Sequence, residues 1–158
     1  MLIRIAGVTE ESIVDGPGLR YVVFTQGCPH RCPGCHNPQT HDFAGGCEVT
    51  ISELVKKITA VKLISGITLS GGEPFSQAMP CAALAKIIKQ MGLNVVTYSG
   101  YYHHELISMA ANDFSIKELL NVTDILIDGR YEAAQKSLLL PFRGSSNQNI
   151  IYLSKTKN

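Results

Sequence analysis

The sequence predicts an α/β fold, specifically a shortened, open TIM-like barrel of βα units with a mainly parallel sheet. Short runs of β-branched and aromatic residues alternate with helical patterns, and glycine-rich or polar turns follow several of these runs. Such alternation is typical of parallel βα units with right-handed crossovers. A closed eight-stranded barrel needs about 250 residues. The chain has 158 residues without an internal boundary or repeat, so we expect one domain over residues 1–158 and an incomplete barrel.

Strands are predicted where β-branched and aromatic residues lie between turn-forming residues. The predicted strands cover residues 19–25, 66–70, 93–98, 124–128 and 149–153, and residues 1–7 form a short strand-like run. Proline and glycine recur through residues 27–38, so this cysteine-bearing segment is predicted to be a loop.

Helices are predicted where apolar residues repeat along one face. The first follows a capping box formed by Thr50 and Glu53. The second covers residues 79–91 and ends at Gly92, where glycine favours a C-terminal stop. Two further helical stretches are expected at residues 104–111 and 115–121.

Composition excludes several classes of partner. Lys and Arg number 14 against 13 Asp and Glu, and no basic cluster is present, so we expect no nucleic-acid partner. No stretch approaches the ~18 consecutive apolar residues of a membrane span. The first residues lack the layout of a secretory signal. We therefore expect a cytoplasmic protein without a membrane partner.

The five cysteines indicate metal or redox chemistry rather than a disulfide scaffold. Their number is odd, and Cys28, Cys32 and Cys35 fall within eight residues. In a reducing compartment, clustered thiols more often bind metal or carry out redox chemistry.

The cysteine loop supports four interpretations. Zinc would take three thiolates with His36 or His30 as the fourth ligand. The run from Cys32 to His36 also matches the C-x-x-C-H pattern of haem attachment, and Cys32 with Cys35 matches a dithiol redox pair. Both of these leave Cys28 without a role. The fourth interpretation is an iron–sulfur cubane with three protein thiolates.

A cubane held by three thiolates leaves one iron open to a substrate, whereas a fully ligated cubane takes four cysteines. Cys47 and Cys81 are the other candidate ligands. Cys81 lies in an apolar helical pattern, where a buried, hydrophobe-like cysteine is expected. Cys47 lies in a connector after two glycines and is expected to be an incidental loop thiol.

Four predicted turns follow predicted strands: the cysteine loop, the Gly-Gly-Glu-Pro turn at 71–74, and the turns at 99–100 and 128–129. The carboxyl ends of parallel strands share one edge, where ligands bind. We therefore expect these turns to meet at one site.

The C-x3-C-x2-C spacing of Cys28, Cys32 and Cys35 resembles the signature of the radical S-adenosylmethionine superfamily, and the turn at 71–74 resembles its Gly-Gly-Glu motif. The resemblance implies one [4Fe–4S] cluster on the three cysteines. It implies that Gly34, Cys35 and His36 line S-adenosylmethionine, and that Gly71, Gly72 and Glu73 hold its methionine end. Gly34 occupies a position where the superfamily often has an aromatic residue. Thr97 and Ser99 are candidate ribose contacts, although strand-end hydroxyls more often satisfy local backbone.

Residues 12–20 resemble glycyl-radical-enzyme activases. Residues 123–131 and 141–148 resemble the family that activates anaerobic ribonucleoside-triphosphate reductase. This resemblance implies reductive cleavage of S-adenosylmethionine to a 5′-deoxyadenosyl radical, which generates a glycyl radical on the large subunit of that reductase. It also implies an electron donor such as flavodoxin. The alternatives are a 7-carboxy-7-deazaguanine synthase-like enzyme, a pyruvate formate-lyase activase-like enzyme, or a zinc-stabilised interaction module.

Overall fold

The computed structural model describes residues 1–154. Within them, seven strands form one sheet in the order β3-β1-β2-β4-β5-β6-β7. The strands are β1 (Leu2–Ser12), β2 (Arg20–Thr25), β3 (Cys47–Thr50), β4 (Gly66–Gly71), β5 (Asn94–Tyr98), β6 (Ile125–Asp128) and β7 (Asn149–Tyr152). The helices are α1 (Ile51–Ala60), α2 (Ala78–Gln90), α3 (His103–Ala110) and α4 (Phe114–Val122).

The four central strands β2, β4, β5 and β6 are parallel, and helices connect β4 to β5 and β5 to β6. The outer strands are antiparallel to their neighbours, with β3 on β1, β1 on β2 and β7 on β6. The sheet has two free ends and does not close. The predicted α/β class and open, partial barrel are confirmed.

Strands β1 and β3, at one edge of the sheet, differ from the sequence prediction. Strand β1 runs to Ser12, well beyond the predicted strand-like run, because it pairs with β2 as far as Arg20. Strand β3 was predicted as a connector. It is only four residues long and half-exposed, and it exists because its backbone pairs with Leu2–Ile5 of β1.

The two faces of the sheet are covered differently. Alternate strand residues such as Ile67, Leu69 and Leu126 belong to the main core, which they share with the apolar faces of the helices. The opposite face carries a smaller cluster of Val96, Ile125 and Ile127. The helices therefore cover one face, and much of the other remains open for a site.

Side-chain caps fix where the helices begin. At α1 the Thr50 hydroxyl accepts from the Glu53 N–H at 3.1 Å, and the Glu53 carboxylate accepts from the Thr50 N–H at 2.7 Å, which confirms the predicted capping box. At α3 the Asp128 carboxylate accepts from the His103 N–H at 2.7 Å. None of the helices in residues 1–154 has the length and apolar character needed to cross a membrane.

Arg20 clamps the turn between β1 and β2 against the sheet. Its guanidinium is fully buried and donates to the Thr68 hydroxyl at 2.7 Å and to the carbonyl oxygens of Ile67 and Pro17 at 2.6 and 2.9 Å. Burial lowers the pKa of Arg20 to about 10, so the side chain stays charged at neutral pH. The Thr68 hydroxyl in turn donates to the Asp15 carbonyl oxygen at 2.7 Å, which holds Asp15 against β4.

Candidate functional site

A cavity of about 690 Å³ lies at the carboxyl ends of the parallel strands. Its size is in the range of sites for small molecules. All four predicted turns contribute lining residues, namely Cys28, Cys32 and Cys35, then Gly71 and Gly72, then Ser99 and Gly100, and finally Gly129. The predicted convergence of these turns is therefore confirmed.

The three clustered cysteines are free thiols on one wall of the cavity. Cys28 is buried, while Cys32 and Cys35 are half-buried. The loop reverses direction because the Cys35 N–H donates to the Cys32 carbonyl oxygen at 3.1 Å, with Arg31 and Gly34 at φ of 49° and 76°. Burial raises the pKa values of the Cys28 and Cys32 thiols, so the unliganded loop favours protonated sulfur.

The cysteine loop and the Gly-Gly-Glu turn are joined through their backbones. The Gly72 N–H donates to the Thr25 carbonyl oxygen at 2.8 Å, and the Glu73 N–H donates to the Gly27 carbonyl oxygen at 2.9 Å. A Cβ atom on Gly72 would lie 2.4 Å from the Gly27 oxygen, and one on Gly71 would lie 2.6 Å from the Thr25 nitrogen. The two glycines are thus required by the approach of the two loops, in addition to any contact with a ligand.

The Glu73 carboxylate is fully buried behind the turns that line the cavity and is not itself a lining residue. Its Oε1 accepts from the Phe75 N–H at 3.0 Å, and its Oε2 accepts from the Gly100 N–H at 2.8 Å and lies 2.7 Å from His30 Nε2. The Ser99 hydroxyl lies 3.0 and 3.1 Å from the two oxygens. One carboxylate therefore connects three of the four turns.

His30 is the site residue that the sequence prediction missed. The sequence indicated His30 only as a possible fourth zinc ligand, whereas the structure buries its side chain, which is only 7% exposed, beside Glu73. Its ring packs edge-on against Tyr101 with centroids 4.5 Å apart. A Cβ atom on Gly100 would lie 2.3 Å from the ring. The partners are distant in sequence, so no local pattern marks this contact.

An aromatic pair forms the side of the cavity next to the third cysteine. The rings of His36 and Tyr131 are 4.9 Å apart and tilted by 48°. A Cβ atom on Gly34 would lie 3.4 Å from the Tyr131 ring, and one on Gly144 would lie 3.0 Å from it. Tyr131 therefore packs where the loop itself carries no side chain at Gly34.

Thr97 and Ser99, the candidate ribose contacts, are placed differently. Ser99 lines the cavity, but its hydroxyl bonds to Glu73. The Thr97 hydroxyl is buried 2.9 Å from that of Thr123, and Thr97 is not among the cavity-lining residues. A ribose contact stays a prediction for both, and the geometry favours Ser99.

The other two cysteines and Asp128 do not belong to the cavity wall that carries the three clustered thiols. Cys47 is exposed at the start of β3, and Cys81 is buried in α2, where burial raises its thiol pKa strongly. Neither lines the cavity. Both oxygens of Asp128 accept hydrogen bonds, from the N–H of His103 and from the backbone and side chain of Asn149. Asp128 therefore caps α3 and fixes the start of β7.

Residues 141–148 cross the open face and complete the cavity. The Gln148 Oε1 accepts from the N–H groups of Gly144 and Ser145 at 2.8 and 3.1 Å, and its Nε2 donates to the Gly129 carbonyl oxygen at 2.9 Å. This segment is a polar turn before β7, and it also carries Arg143 to the cavity.

The residues present fit a [4Fe–4S] cluster with one open iron. Three free thiols on one loop line the same cavity, and glycine-rich turns face them with room for a further ligand. Across residues 1–154, no three His, Cys, Asp or Glu side chains converge as ligands of a single metal ion do. In a cubane each thiolate binds a different iron atom.

Sequence comparisons with known proteins agree with this assignment. Residues 14–151 match the family described as a 4Fe-4S single cluster domain. The chain is 37% identical over 129 residues to the pyruvate formate-lyase-activating enzyme of Clostridium pasteurianum, covering 78% of this chain and 50% of that protein. It is 32% identical over 151 residues to the anaerobic ribonucleoside-triphosphate reductase-activating protein of Escherichia coli K12, covering 89% and 93%. It is also similar to the crystal structure of QueE from Escherichia coli, with 16% identity, a TM-score of 0.48 and coverage of 65% and 55%.

The family match and the named relatives identify a radical S-adenosylmethionine protein, as the three-cysteine loop predicted. The chain belongs to the 4Fe-4S single cluster domain family, as the match over residues 14–151 shows. Its cofactors are accordingly a [4Fe–4S] cluster and S-adenosylmethionine, which decides among the four interpretations of the cysteine loop. The chain spans about half the length of the pyruvate formate-lyase-activating relatives that it matches.

Proposed function

We propose that this chain is an activating enzyme that generates a glycyl radical on the large subunit of anaerobic ribonucleoside-triphosphate reductase. The observation that carries this proposal is the share of this chain that aligns with such relatives, 89% against 72–78% for the pyruvate formate-lyase-activating relatives. Relatives named as activating proteins of that reductase align over 93% of their own sequence, at 32–34% identity. The pyruvate formate-lyase-activating relatives align over only 46–50% of theirs.

In this proposal Cys28, Cys32 and Cys35, whose free thiols line the cavity, would hold a cluster with one iron left without a protein ligand. When bound and reduced, the cluster would supply the one electron needed to cleave S-adenosylmethionine to methionine and a 5′-deoxyadenosyl radical, which would take a hydrogen atom from glycine. The protein would position the reacting groups and shield them from solvent. The burial of Cys28 and the closed backbone contact at Gly27 support such a sheltered site.

The remaining site residues are proposed to orient S-adenosylmethionine. Gly71 and Gly72 present bare backbone to the cavity, which suits a close approach by the methionine end. Glu73 follows directly; the family resemblance gives it to the same end of the ligand, but the hydrogen bonds that already fill its carboxylate do not support direct contact. Gly34, Cys35 and His36 are proposed to line the adenosine end.

The mouth of the cavity suits a polypeptide substrate. Ile13 and Val14 on one side and Leu138 on the other line the cavity and are exposed to solvent. Exposed apolar residues grouped around an opening commonly mark a protein-binding surface. A glycine-bearing segment of the reductase would cover them while its Cα–H reaches the radical.

The domain organisation, compartment and electron donor belong to the same proposal. A single domain over residues 1–158, acting in the cytoplasm, would receive electrons from a donor such as flavodoxin. No nucleic acid or membrane takes part.

The proposal is tested with the anaerobically reconstituted protein, S-adenosylmethionine and a reductant. Incubation with the reductase large subunit is expected to give a glycine-centred doublet in electron paramagnetic resonance. A parallel incubation with pyruvate formate-lyase is expected to give none. A doublet on pyruvate formate-lyase alone, or no doublet from cluster-loaded protein, would contradict the proposed target.

A further inference from the structure

The acceptor capacity of the Glu73 carboxylate is already filled by the protein. An ionised carboxylate offers about four lone-pair positions. The N–H groups of Phe75 and Gly100, the Ser99 hydroxyl and His30 Nε2 all lie 2.7–3.1 Å from its oxygens. A fully buried carboxylate needs these partners, because an unpaired one is costly. No acceptor position is left for an ammonium group in the cavity.

His30 is held equally tightly. Its Nε2 contacts Glu73 at 2.7 Å, its ring meets the Tyr101 ring at 76°, and Gly100 leaves space that any side chain would fill. Because a carboxylate only accepts hydrogen bonds, Nε2 carries the proton that forms this bond. The other residues of the segment between Cys28 and Cys32 are Pro29 and Arg31, and both are exposed. His30 is therefore the side chain that anchors this segment.

We propose that Glu73 and His30 form a positioning pair that fixes the loop between Cys28 and Cys32 against the ends of β4 and β5. The pair sets the directions of the thiols and leaves the backbone of Gly71 and Gly72 to meet the cofactor. Glu73 thus acts through His30 and not as a direct ligand of S-adenosylmethionine. This inference deepens the proposed function and rests on its assignment of the three cysteines to the cluster.

A comparison of variants separates positioning from direct binding. His30→Phe keeps a ring against Tyr101 but removes the donor, whereas His30→Gln keeps an N–H at nearly the same place. Glu73→Gln removes the charge and half of the acceptor capacity. His104→Phe, an exposed histidine on α3 outside the cavity-lining residues, is the matched control.

The first measurement is the rate at which a chelator removes iron from the reconstituted protein in the absence of S-adenosylmethionine. We expect Glu73→Gln and His30→Phe each to raise this rate about tenfold, the scale of one lost buried charge-assisted hydrogen bond. The double variant should be no faster than either single one, because both remove the same contact. His30→Gln and His104→Phe should match the unaltered protein.

The second measurement is the electron paramagnetic resonance spectrum of the reduced cluster. The same altered spectrum is expected in His30→Phe and Glu73→Gln, with recovery in His30→Gln. If Glu73→Gln weakened only S-adenosylmethionine binding, with iron release and the spectrum of the free cluster unchanged, the carboxylate would be a direct ligand and the inference would fail. Multiplying effects in the double variant would also overturn it.

If Glu73→Gln does not fold, the contrast between His30→Phe and His30→Gln decides alone. Equal iron release in these two would overturn the inference. Neither measurement uses the reductase. A missing glycyl radical, with the expected pattern of iron release, would therefore reject the proposed function and leave the positioning pair intact.

Discussion

The Glu73 N–H donates to the carbonyl oxygen of Gly27 at 2.9 Å, so the backbone of the Gly-Gly-Glu turn is bonded to the residue that precedes the first cluster cysteine. The cysteine loop and the turn after β4 are consequently one rigid unit. A cofactor chelated to the open iron would meet both at once.

A methyl group at Gly72 is expected to break this unit. In Gly72→Ala the new Cβ would lie 2.4 Å from the Gly27 oxygen, so one backbone must move. We expect a loss of about 1–3 kcal/mol in the free energy of unfolding, measured by urea denaturation, together with reduced iron uptake. Gly7→Ala is the control, because nothing lies within 4 Å of its Cβ position. Equal stability of the two variants would contradict the close contact.

Replacing single cysteines is expected to separate the loop from the other thiols. The reconstituted protein should hold about four irons per chain. Cys28→Ser, Cys32→Ser and Cys35→Ser should each lose most of this iron, because serine is a poor ligand for a cubane. Cys47→Ser, exposed on β3, should keep all of it. Iron analysis after anaerobic desalting gives the answer, and a Cys47→Ser protein without iron would point to a fourth protein ligand.

The ion pair of Glu105 and Arg130 is expected to give a small pH dependence of stability. The hydrogen bond from Arg130 lowers the pKa of Glu105, so the pair stabilises the fold above the ordinary carboxyl pKa and loses this contribution as the pH falls. Both side chains are about one-third exposed, so we expect less than about 1 kcal/mol. Thermal unfolding of Glu105→Gln from pH 7 to pH 3 should show a smaller fall in stability than the unaltered protein. Parallel curves would exclude this contribution.

Loss of the Gln148 side chain is expected to loosen residues 141–148. Gln148→Ala leaves the N–H groups of Gly144 and Ser145 and the Gly129 carbonyl oxygen without their partner. We expect a cost of about 1–3 kcal/mol and faster proteolysis within this segment. Iron uptake should stay normal, since the thiol loop is untouched. Gln39→Ala, on an exposed residue, serves as the control. Resistance of Gln148→Ala to proteolysis would show that the segment is held by other contacts.

The sequence made the meeting of the four turns predictable, because parallel strands bring their carboxyl ends to one edge whatever their side chains are. The capping box at Thr50 was also predictable, because it depends only on Thr50 and Glu53, which lie three residues apart. The strand predicted at residues 149–153 is β7, but its antiparallel pairing was not predicted, and β3 was missed, since these edge strands acquire their pairing from distant partners. His30 was missed for the same reason. Its partner Glu73 lies 43 residues away, and only the folded chain shows that both are buried.

The most direct test of the central claim follows one hydrogen atom. The reductase large subunit is prepared with glycine that carries deuterium at Cα and is incubated with the reconstituted protein, S-adenosylmethionine and a reductant. Mass spectrometry of the 5′-deoxyadenosine product should then show one deuterium gained from the reductase. Cleavage of S-adenosylmethionine that yields 5′-deoxyadenosine without deuterium would contradict hydrogen abstraction from a glycine of that protein.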